Sequence, residues 1–384
     1  MSAVFNSTGH HLELPEIVSS EGVYVFDGGG NRYMDLGSGV WCTSLGHHNR
    51  RINDAIVTQM DVLTHAGFCY SNPIVEEAAT AVLSICGLGD GAVVFLCSGS
   101  EGIDYARQAS RKITGRTLSL TFHDAYLGSF SSVIDRSSGW SSFDWERCGR
   151  CPGGTRLAEC DHLDEIPDGV SEFLFEPGSS AGQVRFAPVQ LVRRVVDRVR
   201  ANGGKIIANE VTTGIGRTGS WFGFDHYGIT PDLIVIGKGI GNGYPVSAVV
   251  MNRQTADELA GTDFKYMQSH QNDPLGAAVV KAVIATIEDE SLIERSAANG
   301  AACLEALEHL VSHRAVVAVR GRGSMFAVDL ADEATCKRVF RELLDHGFIV
   351  CPRGATLRID PPLITSREEL RSFAETLDGI LAMA

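Results

Sequence analysis

The sequence predicts an α/β protein, with a large, mostly parallel sheet covered by helices and a smaller α+β part. Two observations carry this. Apolar strand-like runs alternate with amphipathic helical patterns through the middle of the chain, as crossovers between parallel strands require. Beyond residue 253 the pattern changes to long helices with short strands between them. The length of 384 residues suits one large and one smaller domain.

Ala92–Cys97 reads as a buried strand because its residues are apolar or small throughout. Glu101–Lys112 follows as a helix, with Ile103, Ala106 and Ala109 at helical spacing. Thr117–Phe122 and Phe173–Glu176 read as further strands. Pro188 opens an amphipathic helix with Val189, Val192, Val195, Val196 and Val199 on one face and arginines on the other. Lys205–Val211, Leu233–Ile236 and Ser247–Met251 are strand-like. A helical stretch then runs from Pro274 past Leu310, and Met325–Leu330, Phe348–Cys351 and Thr356–Ile359 are short strands among the helices Glu333–His346 and Arg367–Leu381. The first ~45 residues hold hairpin-like pieces around Gly28–Gly30 and are too few to fold alone, since domains start near ~50 residues. The expected division is therefore a large α/β domain over 49–253, and a small domain with an interdomain helix made from 1–48 and 254–384.

Lys and Arg number 33 against 47 Asp and Glu, a net charge of −14. That balance does not invite a nucleic-acid backbone or an anionic membrane surface, and any anion site must be built locally. No apolar run approaches the ~18 residues of a membrane span. Met1–Leu14 is polar and lacks the basic and apolar pattern of a signal peptide. Ten cysteines at irregular spacing then read as reduced thiols in a cytoplasm. Cys148, Cys151, Cys160 and His162 have the ligand types of a zinc site. Their irregular spacing favours free thiols, and no metal is expected.

Three segments carry chemistry. Lys238 ends an apolar strand and is followed by glycines; burial there would depress its pKa and make its amine nucleophilic, as Schiff-base formation requires. A lysine reaching outward from a strand end is the alternative. At Cys97–Glu101 a strand ends, a small-residue turn follows and a helix begins, so Gly99 and Ser100 could present amides and a hydroxyl to a phosphate. A plain βα turn with a serine N-cap has the same sequence. Residues 206–219 deliver Asn209 and Glu210 to opposite faces of a strand end. Arg217 is the expected structural ion-pair partner of Glu210.

Together and in this order, these segments resemble the class III aminotransferases, the ornithine, acetylornithine and 4-aminobutyrate transaminase-like branch of fold type I pyridoxal 5′-phosphate (PLP) enzymes. The resemblance begins at GVYVFDGGGNRYMDLGSGVWCTSLGHHN and continues through SGSEG, HDAYLGS, FEPGSSAG, NEVTTGIGRTG, PDLIVIGKG and QNDPLGAA. It ends in VRGRGSMFAVDL and LRIDPPLIT. It implies an aminotransferase that moves an amino group from an amino acid or amine to a 2-oxo acid. Lys238 matches the Schiff-base lysine and general base. Gly99 and Ser100 match the phosphate-binding turn, Tyr126 the aromatic that stacks on the cofactor ring, and Val211 the residue under its other face. Thr212 stands at a position that contacts the ring hydroxyl. Ser269 falls where the family usually has a threonine reaching the phosphate of a neighbouring subunit, which implies a homodimer with shared sites. Arg358 matches the arginine that receives a substrate carboxylate, with Trp41 beside the substrate; a surface ion pair is the alternative for Arg358.

The chain also departs from the pattern. Asn209 replaces the usual aspartate, which keeps the ring nitrogen protonated. Thr212 replaces a glutamine, and Leu127 a common histidine. Ala181 stands where many ω-aminotransferases carry a glutamate that masks the carboxylate-binding arginine, so Arg358 is expected to stay available. Asn209 and Ala181 keep a racemase, aminomutase or lyase open as the second reading.

Overall fold

The computed structural model describes residues 3–9, 12–14, 16–149, 161–179 and 183–383. Its centre is a seven-stranded sheet in the spatial order Ala92–Leu96, Ser247–Met251, Leu233–Ile236, Lys205–Glu210, Glu172–Phe175, Ser119–Phe122, Trp140–Phe143. From Leu233–Ile236 to Trp140–Phe143 the strands run parallel. Ser247–Met251 is antiparallel to both of its neighbours. Alternate residues of the central strands feed two separate cores, because successive side chains point to opposite faces. Leu174, Ile207 and Val235 pack with Ile103, Ala106 and Ala109 of the Gly99–Thr114 helix. Phe173, Phe175, Ile206 and Ala208 pack with Leu191, Val192, Val195, Val196 and Val199 of the Val189–Ala201 helix. Burial on both faces explains why these strands read as unbroken apolar runs.

A third core gathers Phe326, Val328, Val339, Leu343, Phe373 and Leu377 with Val23, Met34 and Leu36 from the start of the chain. Its antiparallel sheet has the order Val316–Arg322, Met325–Leu330, Thr356–Ile359, Cys351–Arg353. A third sheet joins Ile17–Glu21, Tyr24–Asp27 and Arg32–Asp35 to Phe348–Ile349, the last pair parallel. The Pro274–Asp289 helix packs on the Arg50–Val62 and Pro73–Ile85 helices and shares their core with the large sheet.

Several elements differ from the sequence reading. The helix expected from Glu101 starts at Gly99, because the Ser98 hydroxyl caps it by accepting from the Glu101 amide. The helical stretch after Pro274 breaks at Ser291, whose φ of 48° ends one helix and starts Leu292–Glu308. Phe348–Cys351 is not one strand. The chain changes sheets at Val350, pairing first with Met34–Asp35 and then with Thr356–Arg358. Ser38–Trp41 forms a left-handed turn with φ of 47°, 52°, 60° and 65°. It is closed by hydrogen bonds from Trp41 N to Gly37 O and from Thr43 N to Ser38 O. Left-handed backbone costs ~1–2 kcal/mol per residue other than glycine, so surrounding contacts must hold this turn. Among the described residues, no helix is long and apolar enough to cross a membrane.

Candidate active site

The parallel strands end at a cavity of about 180 Å³, lined by Gly99, Ser100, Tyr126, Asn209, Val211, Thr212 and Lys238, with Ser98, Ile103, Leu127 and Gly128 between them. Residues more than 100 positions apart meet here because open α/β sheets gather their loops at the carboxyl ends of strands.

Val211 forms part of the floor, and glycines let the backbone close on it. A Cβ on Gly99 would lie 2.6 Å from Val211 Cγ1, and one on Gly237 would lie 3.2 Å from it. The Gly99–Thr114 helix therefore starts against the cavity, and its first amides lack intrahelical acceptors. Ser100 Oγ accepts from Ser129 N at 3.0 Å and keeps its own proton to donate. Gly128, with φ of 113°, passes so close that a Cβ would meet Ser100 Oγ at 2.8 Å.

Lys238 follows the Leu233–Ile236 strand after Gly237 and is held at φ 47°. Its Nζ lies 3.5 Å from Thr212 Oγ1 and 5.3 Å from the centre of the Trp41 ring. The side chain thus points into the site, which excludes the outward-reaching alternative. Burial lowers its pKa below the ordinary lysine value; the charges of Glu176, Cys42 and Asp360 oppose this and that of Arg358 adds to it. A deprotonated amine is the nucleophilic form.

Asn209 and Glu210 do point to opposite faces. Asn209 Nδ2 donates to Tyr126 O at 3.0 Å and Oδ1 accepts from Val211 N at 3.2 Å, so two backbone groups fix the orientation of its amide. Tyr126 N donates to Glu176 Oε2 at 3.1 Å. Tyr126 is 45% exposed and lines the cavity, within reach of a ligand there.

The expected Glu210–Arg217 ion pair is absent. Glu210 accepts instead from Thr213 Oγ1, Gly223 N and Phe224 N at 2.7–2.9 Å. Its pKa is pushed up to about 7 by burial, which these hydrogen bonds oppose. Arg217 lies beyond the turn and donates to Pro361 O, Ser324 O and Ser44 Oγ. The spacing in the motif suggested a pair, but the tight 211–216 turn sends the two side chains apart.

Arg358 is 2% exposed, so the surface ion-pair alternative also fails. Its guanidinium lies 3.6 Å from the centre of the Trp41 ring, the ring that Lys238 also approaches. Nε donates to Asp360 Oδ2 at 2.7 Å, and Nη1 has no hydrogen-bond partner among the described residues. Asp360 and Glu176 were missed in the sequence. For Asp360 the signal was present: it follows directly on the strand of Arg358, two residues after it, the spacing that puts extended side chains on one face. Glu176 reaches the site through the Tyr126 amide and through its charge on Lys238, neither of which a local pattern reveals.

Ser269 is exposed and lies outside this cavity. Cys148 is buried, with Sγ 3.8 Å from His162 Nδ1, while Cys151, Cys160 and Ala181 lie outside the described residues. The donor set fits a phosphorylated aldehyde. A helix start that glycine alone can bring against the floor suits the phosphate, and a desolvated amine suits the carbonyl carbon.

Comparison with known proteins agrees with this geometry. The model of the aminotransferase class-III family matches residues 5–139 and 155–381. An acetylornithine aminotransferase of Methanopyrus kandleri is 32% identical over 377 residues, covering 95% of this chain and 94% of the relative. A [LysW]-aminoadipate semialdehyde/glutamate semialdehyde transaminase of Sulfurisphaera tokodaii is 28% identical over 323 residues, covering 82% and 81%. Among solved structures, a Bacillus anthracis aminotransferase superposes with a TM-score of 0.89 at 25% identity, covering 96% of this chain and 93% of that one. The motifs, the cleft and these relatives converge: the chain belongs to the class III aminotransferases, pyridoxal-phosphate-dependent enzymes of fold type I.

Proposed function

We propose that Lys238 anchors the cofactor and that the cleft transfers the amino group of a carboxylate-bearing donor, of the ω-amino acid type, to a 2-oxo acid. The observation that carries this is the pair of cations on one indole: Lys238, which lines the cavity, and Arg358, which like Trp41 lies outside its lining, both reach the Trp41 ring, so that the ring joins a place for a donor's amine to a place for its carboxylate. The relatives named for acetylornithine and semialdehyde substrates support an amine distant from a carboxylate.

When bound, pyridoxal phosphate supplies the carbonyl that an amine condenses with and the conjugated ring that withdraws electrons from the adjacent carbon. Gly99 and Ser100 would hold its phosphate, Tyr126 and Val211 its two faces, and Asn209 and Thr212 its polar edge. Lys238 Nζ, once displaced by the donor, moves a proton at the reacting carbon. Thr212 Oγ1 steadies that amine, and Arg358 orients the donor through Nη1.

A homodimer is part of this reading, with Ser269 completing the partner's phosphate site; its exposure leaves it accessible to a second copy. A cytoplasmic setting is also part of this reading, in keeping with the reduced state of the described cysteines. The division into 49–253 and 1–48 with 254–384 is supported by the pairing of Arg32–Asp35 with Phe348–Ile349. The core shared by the Pro274–Asp289 helix and the large sheet makes that helix the joint between the two units.

The test is a panel of amino acids and amines, read in a single turnover by loss of the lysine-bound cofactor's absorbance and gain of its amine form. The reading requires conversion by at least one carboxylate-bearing amine. A product of inverted configuration or eliminated group, with the cofactor unchanged, would favour the racemase or lyase alternative instead.

Asn209 sharpens the chemistry. Its amide is neutral and already tied to two backbone groups, so it offers the ring nitrogen hydrogen bonding without an ion pair. Asn209→Asp is expected to speed transfer about tenfold, the effect of one pKa unit, and to shift the cofactor's absorbance. Unchanged rate and spectrum would mean that the amide alone suffices.

A further inference from the structure

Arg358 is buried, and a buried guanidinium needs a counter-charge whether or not a substrate is present. Its counter-charge is Asp360, 0% exposed and bonded to Nε at 2.7 Å. The aspartate is itself locked in place. Its amide donates to Leu36 O and its carbonyl accepts from Ser38 Oγ, and both belong to the segment that carries Trp41. Arginine, aspartate and indole therefore form one rigid unit. Arg217 is near enough for its charge, with that of Arg358, to pull the Asp360 pKa down against the rise that burial causes. Arg217 itself makes its hydrogen bonds to neutral oxygens. Two arginines, Arg217 and Arg358, thus face two buried carboxylates, Asp360 and Asp35, beside the Trp41 wall.

Resting on the aminotransferase reading above, we propose that Asp360 is a specificity-determining residue: the resident counter-ion of Arg358, which lets one site take both carboxylate-bearing donors and plain monoamines. With a carboxylate-bearing donor, the free Nη1 end binds the carboxylate. With a monoamine, Arg358 keeps Asp360, and no bare guanidinium faces the apolar end of the donor. Asp360 acts through Arg358 and does not touch the reacting atoms, so it is a positioning residue.

The experiment compares 5-aminopentanoate with pentylamine as donors, in the holoenzyme and in Asp360→Asn. The unaltered enzyme turns over both, and its pentylamine rate does not respond to chloride, because Arg358 has no need to recruit an anion. In Asp360→Asn the ratio of kcat/KM for pentylamine over 5-aminopentanoate falls at least about tenfold, and added formate restores pentylamine turnover by standing in for the lost carboxylate. A purely structural aspartate would lower both donors together and show no formate rescue, which would overturn the proposal. It is overturned equally if the unaltered enzyme refuses pentylamine while using 5-aminopentanoate, or if chloride changes its pentylamine rate. Should Asp360→Asn fail to hold cofactor, the chloride response of the unaltered enzyme decides alone. If no amine of any class converts the cofactor, the aminotransferase reading of the site fails, and this proposal with it.

Discussion

Lys238→Ala is expected to abolish turnover, with a loss of roughly 10³-fold or more, and to remove the absorbance of lysine-bound cofactor. Among the described residues that line the cleft, no other side chain carries an amine or an imidazole. Neither the covalent anchor nor the proton carrier has a substitute there. The phosphate turn is untouched, so the variant should still bind cofactor non-covalently, which equilibrium dialysis would measure. Circular dichroism should match the parent, because Lys238 makes one long hydrogen bond at 3.5 Å and packs in no core cluster. Replacement should even relieve some of the cost of its left-handed backbone if glycine is used instead. Turnover within tenfold of the parent would show that another group moves the proton.

Arg358→Gln should raise KM for a carboxylate-bearing donor roughly 100-fold, the scale of removing one partner of a buried charge-assisted contact. Its effect on kcat should be smaller, because Arg358 packs on the Trp41 ring and does not line the cavity that holds Lys238. Stability should also fall, by about 3–5 kcal/mol, since Asp360 is left buried without its partner. Steady-state kinetics and urea denaturation check the two effects separately. A variant with an unchanged KM would place the donor's carboxylate elsewhere.

The large sheet was legible because its strands are buried on both faces and its helices carry clean apolar stripes. Val189–Ala201 is the clearest case, with Val192, Val195, Val196 and Val199 all in the core. Trp140–Phe143 was not legible. It is an edge strand whose two serines break any apolar run, and it exists because Ser119–Phe122 offers it hydrogen bonds. The change of sheet at Val350 was invisible for the same reason, since partners far away in sequence decide it. At the site, small residues at a βα turn and a lysine after an apolar strand were readable signals, and both lie in the cleft. What local pattern could not reveal was which charges meet. Glu210 and Arg217, seven residues apart, turned away from each other, while Arg358 found its partner two residues on. The left-handed turn that brings Trp41 to both cations carries Ser, Val and Trp where glycine would be the expected residue, so no propensity argument would place it.

The crossing at Val350 has a consequence for how the enzyme comes into being on the ribosome. Met34 and Asp35 emerge before their parallel partners Phe348 and Ile349, with nearly all of both domains made in between, and Arg358 and Asp360 come later still. The large sheet, complete by Met251, can form while the chain is still being made, and domains generally fold as units in that order. The lysine end of the cleft is therefore assembled first, and the carboxylate end only when the chain has passed Asp360. Trp41, whose strained turn leans on the backbone of Asp360, must wait for that closure as well. On this order, the side chains that line the cavity are placed before Trp41, Arg358 and Asp360.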